Sequence, residues 1–234
     1  AAAAVDAVAR PEARAAGELP NVVGEPVTAK EAILARVRAA QRTPPAPVEY
    51  GYRRAGALDA DTRLQLFTER VADYRADVRA VDDVAAAVGS ACRDHGARRL
   101  GIPAGLPPEW RPALELVEDE GLSPRELDAL DGVVTGCTVA IAETGTIVLA
   151  GGPAEGRRAL TLVPDLHVCV VRSSQVVELV PEATAPLAEL VERERRPLTM
   201  ISGPSATSDI ELSRVEGVHG PRTLVVLIAR EESR

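Results

Sequence analysis

The spacing of hydrophobic residues predicts helices in the first half of the chain and mostly strands in the second. Apolar residues recur at intervals of three and four, the period of an amphipathic helix, in four segments: 28–41, a segment from about 61, 83–95 and 184–195. Ser123, Pro124 and Glu126 have the spacing of a capping box with proline at the first helical position, which predicts a fifth, short helix from 124. Thr28 and Glu31 have the spacing of a capping box. Asp82 is the expected N-cap of the third helix, which ends at Gly96.

Short apolar runs bounded by turn residues predict the strands. Besides a short extended piece near Val78, they are 99–102, 139–142, 146–149, 159–163, 167–171, 198–201 and 223–229. The runs 168–171 and 224–228 are apolar at every position, which is typical of strands covered on both faces by other layers. The pattern therefore predicts an α/β fold with a mixed sheet.

Prolines and glycines divide the chain into two parts. Residues 1–26 are Ala-rich and interrupted by prolines, which indicates a loose arm, and 43–58 is a Pro- and Gly-punctuated linker. We expect an N-terminal extension over 1–58, made of arm, helix and linker, and an α/β domain over 59–234.

Composition excludes several kinds of site. Lys30 is the only lysine among 27 basic residues, and its neighbours do not form the Gly-Lys-Ser/Thr of a phosphate-binding loop. The three cysteines, at 92, 137 and 169, form no Cys-x-x-Cys pair, which excludes a zinc ribbon and a ferredoxin-type cluster in this sequence. No metal site is expected.

The charge balance and the apolar runs bear on partners and location. A net charge of −8 and only five aromatic residues argue against nucleic-acid binding. No apolar run approaches the ~18 residues of a membrane span, and the N-terminus lacks the pattern of a signal peptide. Scattered cysteines fit a reducing compartment, so we expect a cytoplasmic protein.

The first segment that could carry chemistry is the predicted hairpin loop. Glu143, Thr144, Gly145 and Thr146 place a carboxylate and two hydroxyls on a tight turn between two apolar runs. The alternative is that Thr and Gly occur here for turn geometry alone.

The second segment, 202–211, leaves a predicted strand and enters a short helix. Its free amides and hydroxyls could bind an anion. Ser208 and Glu211 also have the spacing of a capping box, and Asp209 with Glu211 would repel an anion. Binding and capping therefore remain equal alternatives.

The third segment, 217–221, holds His219 between glycines before the last strand. A histidine there could act as a general acid or base, and a turn residue without chemistry is the alternative. His167, at the start of a strand, is expected to be buried and hydrogen-bonded, and Cys137 and Cys169 are expected to be small core residues.

The sequences of 139–149, 162–168, 201–211 and 217–221, in this order, resemble the LUD-domain family. The resemblance implies a three-layer NagB/RpiA/CoA-transferase-like α/β fold. It also implies a cytosolic role in oxidising L-lactate to pyruvate, with iron–sulfur clusters held by separate partner subunits and no cofactor in this chain. The family supplies no catalytic assignment.

Two functions are compatible with these residues. The first is an accessory or assembly subunit of an iron–sulfur-dependent lactate oxidation system that binds a small anionic ligand. The second is an acyl-transfer or isomerase-type enzyme, because Glu143-Thr144-Gly145 is similar to the Glu-x-Gly of CoA-transferases and Glu143 would then be the nucleophile. The candidate catalytic residues are Glu143 and His219. The candidate ligand-binding residues are Thr144, Gly145, Thr146, Gly203, Ser205, Thr207, Asp209, Glu211 and Gly220.

Overall fold

The computed structural model describes residues 28–40, 51–204 and 220–231. By its contacts the chain divides into two compact units, Ala1–Tyr50 and Gly51–Arg234. In the first unit, α1 (Ala29–Ala40) is capped as predicted. The Thr28 hydroxyl accepts a bond from the Glu31 N–H at 3.3 Å, and the Glu31 carboxylate accepts one from the Thr28 N–H at 2.9 Å.

The described part of the second unit contains four α-helices and ten strands. The helices are α2 (Ala60–Asp73), α3 (Val84–Asp94), α4 (Pro124–Asp128) and α5 (Val180–Glu194). The strands are β1 (Asp77–Val81), β2 (Arg99–Ile102), β3 (Glu115–Glu118), β4 (Gly132–Thr135), β5 (Val139–Ile141), β6 (Thr146–Leu149), β7 (Leu166–Arg172), β8 (Val176–Val177), β9 (Thr199–Ile201) and β10 (Thr223–Ala229).

Six strands form an all-parallel sheet in the order β1-β10-β7-β4-β2-β3. The apolar runs of β7 and β10 are buried on both faces, as predicted. Val168 and Val170 pack in a cluster with α3, whereas Cys169 and Val171 pack on the opposite face with α2 and β6. Alternation along a strand therefore lets one apolar run fill two cores.

A second sheet of four strands, in the order β8-β5-β6-β9, covers one face of the first. Its strands β5, β6 and β9 are antiparallel, and β8 is parallel to β5. Helix α5 packs on its outer face through Ala183 and Leu187. The α/β class is confirmed, and the expected mixture of strand directions is distributed between two sheets.

Three details of the predicted elements are wrong. Residues 159–163 form turns, in which Val163 N–H donates to the Ala159 carbonyl at 3.2 Å, and Leu160 is buried from that turn. Asp83 rather than Asp82 caps α3, because its carboxylate accepts the Ala86 N–H at 3.0 Å. Helix α5 begins at Val180, four residues before the expected start at 184.

Residues 53–58, which the sequence places in a linker, are held to α5 and to the segment before it. The buried Glu178 carboxylate accepts bonds from the Ala57 and Leu58 N–H groups at 2.6 and 2.7 Å, and Glu182 accepts one from Gly56 N–H at 3.2 Å. This stretch belongs to the second unit, whose boundary precedes Gly51. In the described ranges, no helix is both long and apolar enough to cross a membrane.

Candidate functional site

The hairpin between β5 and β6 presents Glu143 and the residues after it. Strand register pairs Ile141 with Thr146, so the loop has four residues, 142–145, whereas the expected strands 139–142 and 146–149 would leave three. Gly145 has φ +59°, and its N–H donates to the Ala142 carbonyl at 3.3 Å. A Cβ there would lie 2.8 Å from the Arg70 backbone, so turn geometry and close approach both require glycine.

A chain of hydroxyl groups joins this hairpin to the end of β9. Thr144 Oγ1 donates to Thr146 Oγ1 at 2.8 Å, and Thr146 Oγ1 lies 2.9 Å from Ser202 Oγ. The antiparallel pairing of β6 with β9 sets this contact, because it places Ile147 opposite Ile201. The structure thus brings Thr144 and Thr146 together with the start of the predicted 202–211 segment.

The described end of the third segment lies beside the second. Gly203 has φ +91°, and a Cβ on it would lie 2.8 Å from the Tyr74 Cβ. A Cβ on Gly220 would lie 3.1 Å from the Pro204 carbonyl oxygen. Five candidate residues lie outside the described residues: Ser205, Thr207, Asp209, Glu211 and His219.

An arginine that the sequence did not single out pairs with Glu143. Arg53 Nη2 donates to Glu143 Oε1 at 2.7 Å, and its Nη1 donates to Glu178 Oε1 at 3.3 Å. The Glu178 side chain is 5% exposed, whereas those of Glu143 and Arg53 are 46% and 64% exposed. Arg53 therefore forms one ion pair with a buried carboxylate and one with the half-exposed carboxylate of Glu143.

These side chains face a cleft of about 720 Å³. Its lining includes Tyr52, Arg53, Arg54 and Glu143, together with Thr184 and residues of the first turn of α5. The Arg54 guanidinium lies 5.9 Å from the centre of the Tyr52 ring. The cleft combines two cations, a carboxylate and apolar surface.

His167 is fully buried on β7, as expected. Its Nε2 lies 2.8 Å from Thr135 Oγ1, and burial, aided by the charge of Arg158, lowers its pKa to about 4. The His167 Nδ1 has no hydrogen-bond partner within the described part of the chain. The ring is therefore neutral at physiological pH.

The cysteines are buried thiols. Cys137 Sγ lies 3.6 Å from Gln175 Oε1 and Cys169 Sγ lies 3.8 Å from the Gly136 carbonyl oxygen. Burial raises the pKa of Cys92 to about 11. Within 28–40, 51–204 and 220–231, no group of three His, Cys, Asp or Glu side chains is placed to hold a metal ion.

Comparison with known proteins gives concordant matches. The LUD domain model matches residues 115–229. A lactate utilization protein C of Deinococcus radiodurans is 48% identical over 79% of this chain and 85% of its own length. An uncharacterized protein of Neisseria meningitidis is 30% identical over 86% of this chain and 93% of its own. A crystal structure of a DUF162 family protein from Deinococcus radiodurans has a TM-score of 0.65 and 42% identity, covering 74% of this chain and 99% of that one.

The layered α/β fold and these matches define the class: the chain belongs to the LUD-domain family. Two relatives that match most of the chain, from Deinococcus radiodurans and Halalkalibacterium halodurans, are named lactate utilization protein C.

Proposed function

We propose that this chain acts in lactate utilisation by binding a small 2-hydroxy or 2-oxo carboxylate at Arg53. The role in lactate utilisation is supported by a relative named for that process, which is 48% identical over 85% of its own length. The observation that carries the ligand class is the position of Arg53. Its guanidinium stands at the cleft, bonded to one buried and one exposed carboxylate.

The two carboxylates have different roles in this proposal. An exposed ion pair such as Arg53–Glu143 contributes about 1 kcal/mol or less, so an incoming carboxylate can replace Glu143 at small cost. Glu178 is buried and fixed by two backbone N–H groups, so it keeps the guanidinium in place during that exchange. Guanidinium groups recognise carboxylates through paired hydrogen bonds.

Direct binding tests this proposal. Titration of the purified protein with L-lactate and with pyruvate should show saturable binding to one of them. Arg53→Gln should weaken it about tenfold or more, because a charge-assisted bond contributes about 1.5–3 kcal/mol. Glu143→Gln should leave binding unchanged or tighten it, since it removes the competing carboxylate. Equal affinities in wild type and Arg53→Gln would contradict the ligand site.

The electron transfer belongs, in our proposal, to iron–sulfur subunits that associate with this chain. Three cysteines cannot supply the four thiolates of a cluster, and the raised pKa of Cys92 keeps its thiol protonated. Co-purification from cells grown on lactate should recover iron–sulfur proteins with this chain. Normal growth on lactate after deletion of its gene would contradict the role, as would a chain that purifies alone.

A second candidate is acyl transfer through Glu143, favoured by the half-exposed position of its carboxylate on the cleft wall. Acyl transfer also needs N–H donors for an oxyanion, and the Gly145 N–H is already bonded to the Ala142 carbonyl. Incubation with acyl-CoA followed by borohydride should modify Glu143 if this function holds, and the Glu143→Gln protein is the control. An unchanged protein mass with several acyl-CoAs would exclude it.

A further inference from the structure

The cleft lined by Arg53 and Glu143, which we call the Arg53 cleft, contains a second arginine that the proposed function does not use. Arg54 lines the same cleft, and its guanidinium lies 5.9 Å from the centre of the Tyr52 ring. Within the described part of the chain, Arg54 forms no ion pair with a carboxylate. A guanidinium is charged at every physiological pH, so its charge remains to be met by an anion.

The carboxylates beside the cleft are occupied by other donors. Glu143 accepts a bond of 2.7 Å from Arg53. Glu178 accepts from Arg53 and from two backbone N–H groups, at 3.3, 2.6 and 2.7 Å. Glu182 accepts from two further backbone N–H groups, at 2.7 and 3.2 Å. None of these side chains therefore neutralises Arg54, although all three belong to the surroundings of its neighbour.

The cleft is also larger than lactate requires. Its volume is about 720 Å³. At roughly 30 Å³ for each water-sized group, the six non-hydrogen atoms of lactate fill about 180 Å³ at most, a quarter of that space. The remaining lining includes an apolar stretch, Leu179–Pro181, in which Val180 is 39% exposed. The dimensions favour a ligand with a longer carbon chain than lactate has.

The two arginines hold their charges at different places in the lining. Their Cα atoms are about 3.8 Å apart, as in any pair of neighbouring residues. The Arg53 guanidinium is directed to Glu143, whereas that of Arg54 is directed to the Tyr52 ring. Stacking on a ring leaves the N–H groups at the edge of a guanidinium able to donate in its plane. A single ligand with two separated anionic groups can therefore pair with both cations.

We propose that the ligand of the Arg53 cleft carries two anionic groups. One is the carboxylate that pairs with Arg53, and the other is a carboxylate or a phosphate that pairs with Arg54. This inference rests on the proposed function, because that function supplies the first of the two pairs. Guanidinium groups recognise carboxylate and phosphate oxygens by the same planar pairing.

Calorimetric titration with three related 2-hydroxy acids, each as both enantiomers and at constant ionic strength, tests the proposal. They are lactate, malate, which adds a carboxylate, and 3-phosphoglycerate, which adds a phosphate. At least one of the two larger acids should bind about threefold or more tightly than lactate, because it gains a partly exposed ion pair. The one that does so identifies the second group. If neither binds more tightly than lactate, the proposal is overturned.

Substitution of Arg54 locates the second group. Arg54→Gln should weaken binding of the tighter acid about threefold or more and change lactate binding less than twofold. Arg98→Gln is the matched control, since it removes the same charge from an exposed arginine that does not line the cleft. It should change each affinity less than twofold. An effect of Arg54→Gln no larger than that of Arg98→Gln would also overturn the proposal.

Arg53→Gln separates this proposal from the function on which it rests. It should weaken binding of lactate and of the tighter acid alike, because both use the first pair. Equal affinity of lactate for wild type and Arg53→Gln contradicts the proposed function. Lactate binding that depends on Arg53, with no gain from a second anionic group, overturns the second pair alone.

Discussion

At the scale of single residues, the hairpin tip depends on a glycine. Gly145 is required by its left-handed backbone and by the approach of α2, so its presence does not depend on chemistry. Glu143, Thr144 and Thr146 carry the chemical groups. Turn geometry therefore explains Gly145, whereas a functional role can apply only to the other three residues of the motif.

Gly145→Ala should destabilise the protein by about 2 kcal/mol or more, because it adds both backbone strain and a contact with the Arg70 backbone. Gly96→Ala is the matched control. Gly96 has φ +69°, and a Cβ on it would meet nothing within 4 Å, so only the strain of about 1 kcal/mol applies. Urea unfolding of both variants measures the difference, and equal losses would show that the hairpin yields to the added methyl group.

Stability should fall in mild acid because of His167. Its folded pKa of about 4 lies below the unfolded value of about 6.5, so protonation favours the unfolded chain. Above about pH 6.5 the histidine is neutral in both states and the free energy of unfolding is not reduced. As the pH falls towards about 4, protonation of the unfolded chain lowers the free energy of unfolding by about 3 kcal/mol. Unfolding free energies between pH 7 and 4.5 should decline more steeply in wild type than in His167→Gln. Parallel curves would contradict the assignment.

Arg53 shows what sequence reasoning could not supply at this scale. It lies 90 positions from Glu143, in a stretch whose prolines and glycines indicate a linker. No local spacing connects the two residues. Only the docking of 53–58 against Glu178 brings the guanidinium to the hairpin.

At the scale of elements, prediction succeeded where pattern and burial agree. The bounds of β2 and β10 match those expected, and Ser123 with Glu126 makes the capping box of α4. The prediction of a strand at 159–163 was wrong because an apolar residue in a turn can also pack in a core, as Leu160 does beside Leu127. Strand β4 was not predicted because it begins with Gly132. Strand β8 was not predicted because two residues are too few to show a pattern.

Helix α5 contains a proline, Pro186, in its interior. Proline has no N–H to donate to the carbonyl of Glu182 and crowds the preceding turn. Pro186 is exposed, so Pro186→Ala should stabilise the protein by about 1 to 3 kcal/mol without loss of packing. Pro181→Ala, in the first turn where no N–H is needed, should change stability by about 0.5 kcal/mol at most. Thermal unfolding compares the two variants, and a lower melting temperature in Pro186→Ala than in wild type would contradict this expectation.

At the scale of the whole molecule, the boundary between the units is a testable property. A chain of residues 51–234 retains Arg53, Ala57 and Leu58 against Glu178, whereas 59–234, the domain expected from sequence, loses them. The shorter chain removes the N–H and guanidinium partners of the Glu178 carboxylate, which we expect to cost about 1 to 3 kcal/mol.

We therefore expect 51–234 to unfold in one cooperative transition and 59–234 to be less stable in urea. The Glu178→Gln version of 59–234 is the control, because a neutral side chain should recover part of the loss. Equal midpoints for the two lengths would place the boundary after residue 58.

The position of β10 between β1 and β7 also decides when the parallel sheet can form during synthesis of the chain. Asp77 pairs with Val225, about 150 residues later, and β10 is the only neighbour of β1 in the described part of the sheet. At typical rates of translation, β1 waits roughly 10 to 30 seconds for its partner. Strand β7 ends about 50 residues before β10 begins, so for roughly 3 to 10 seconds its apolar run has an open edge on the nascent chain, which is a binding surface for a chaperone.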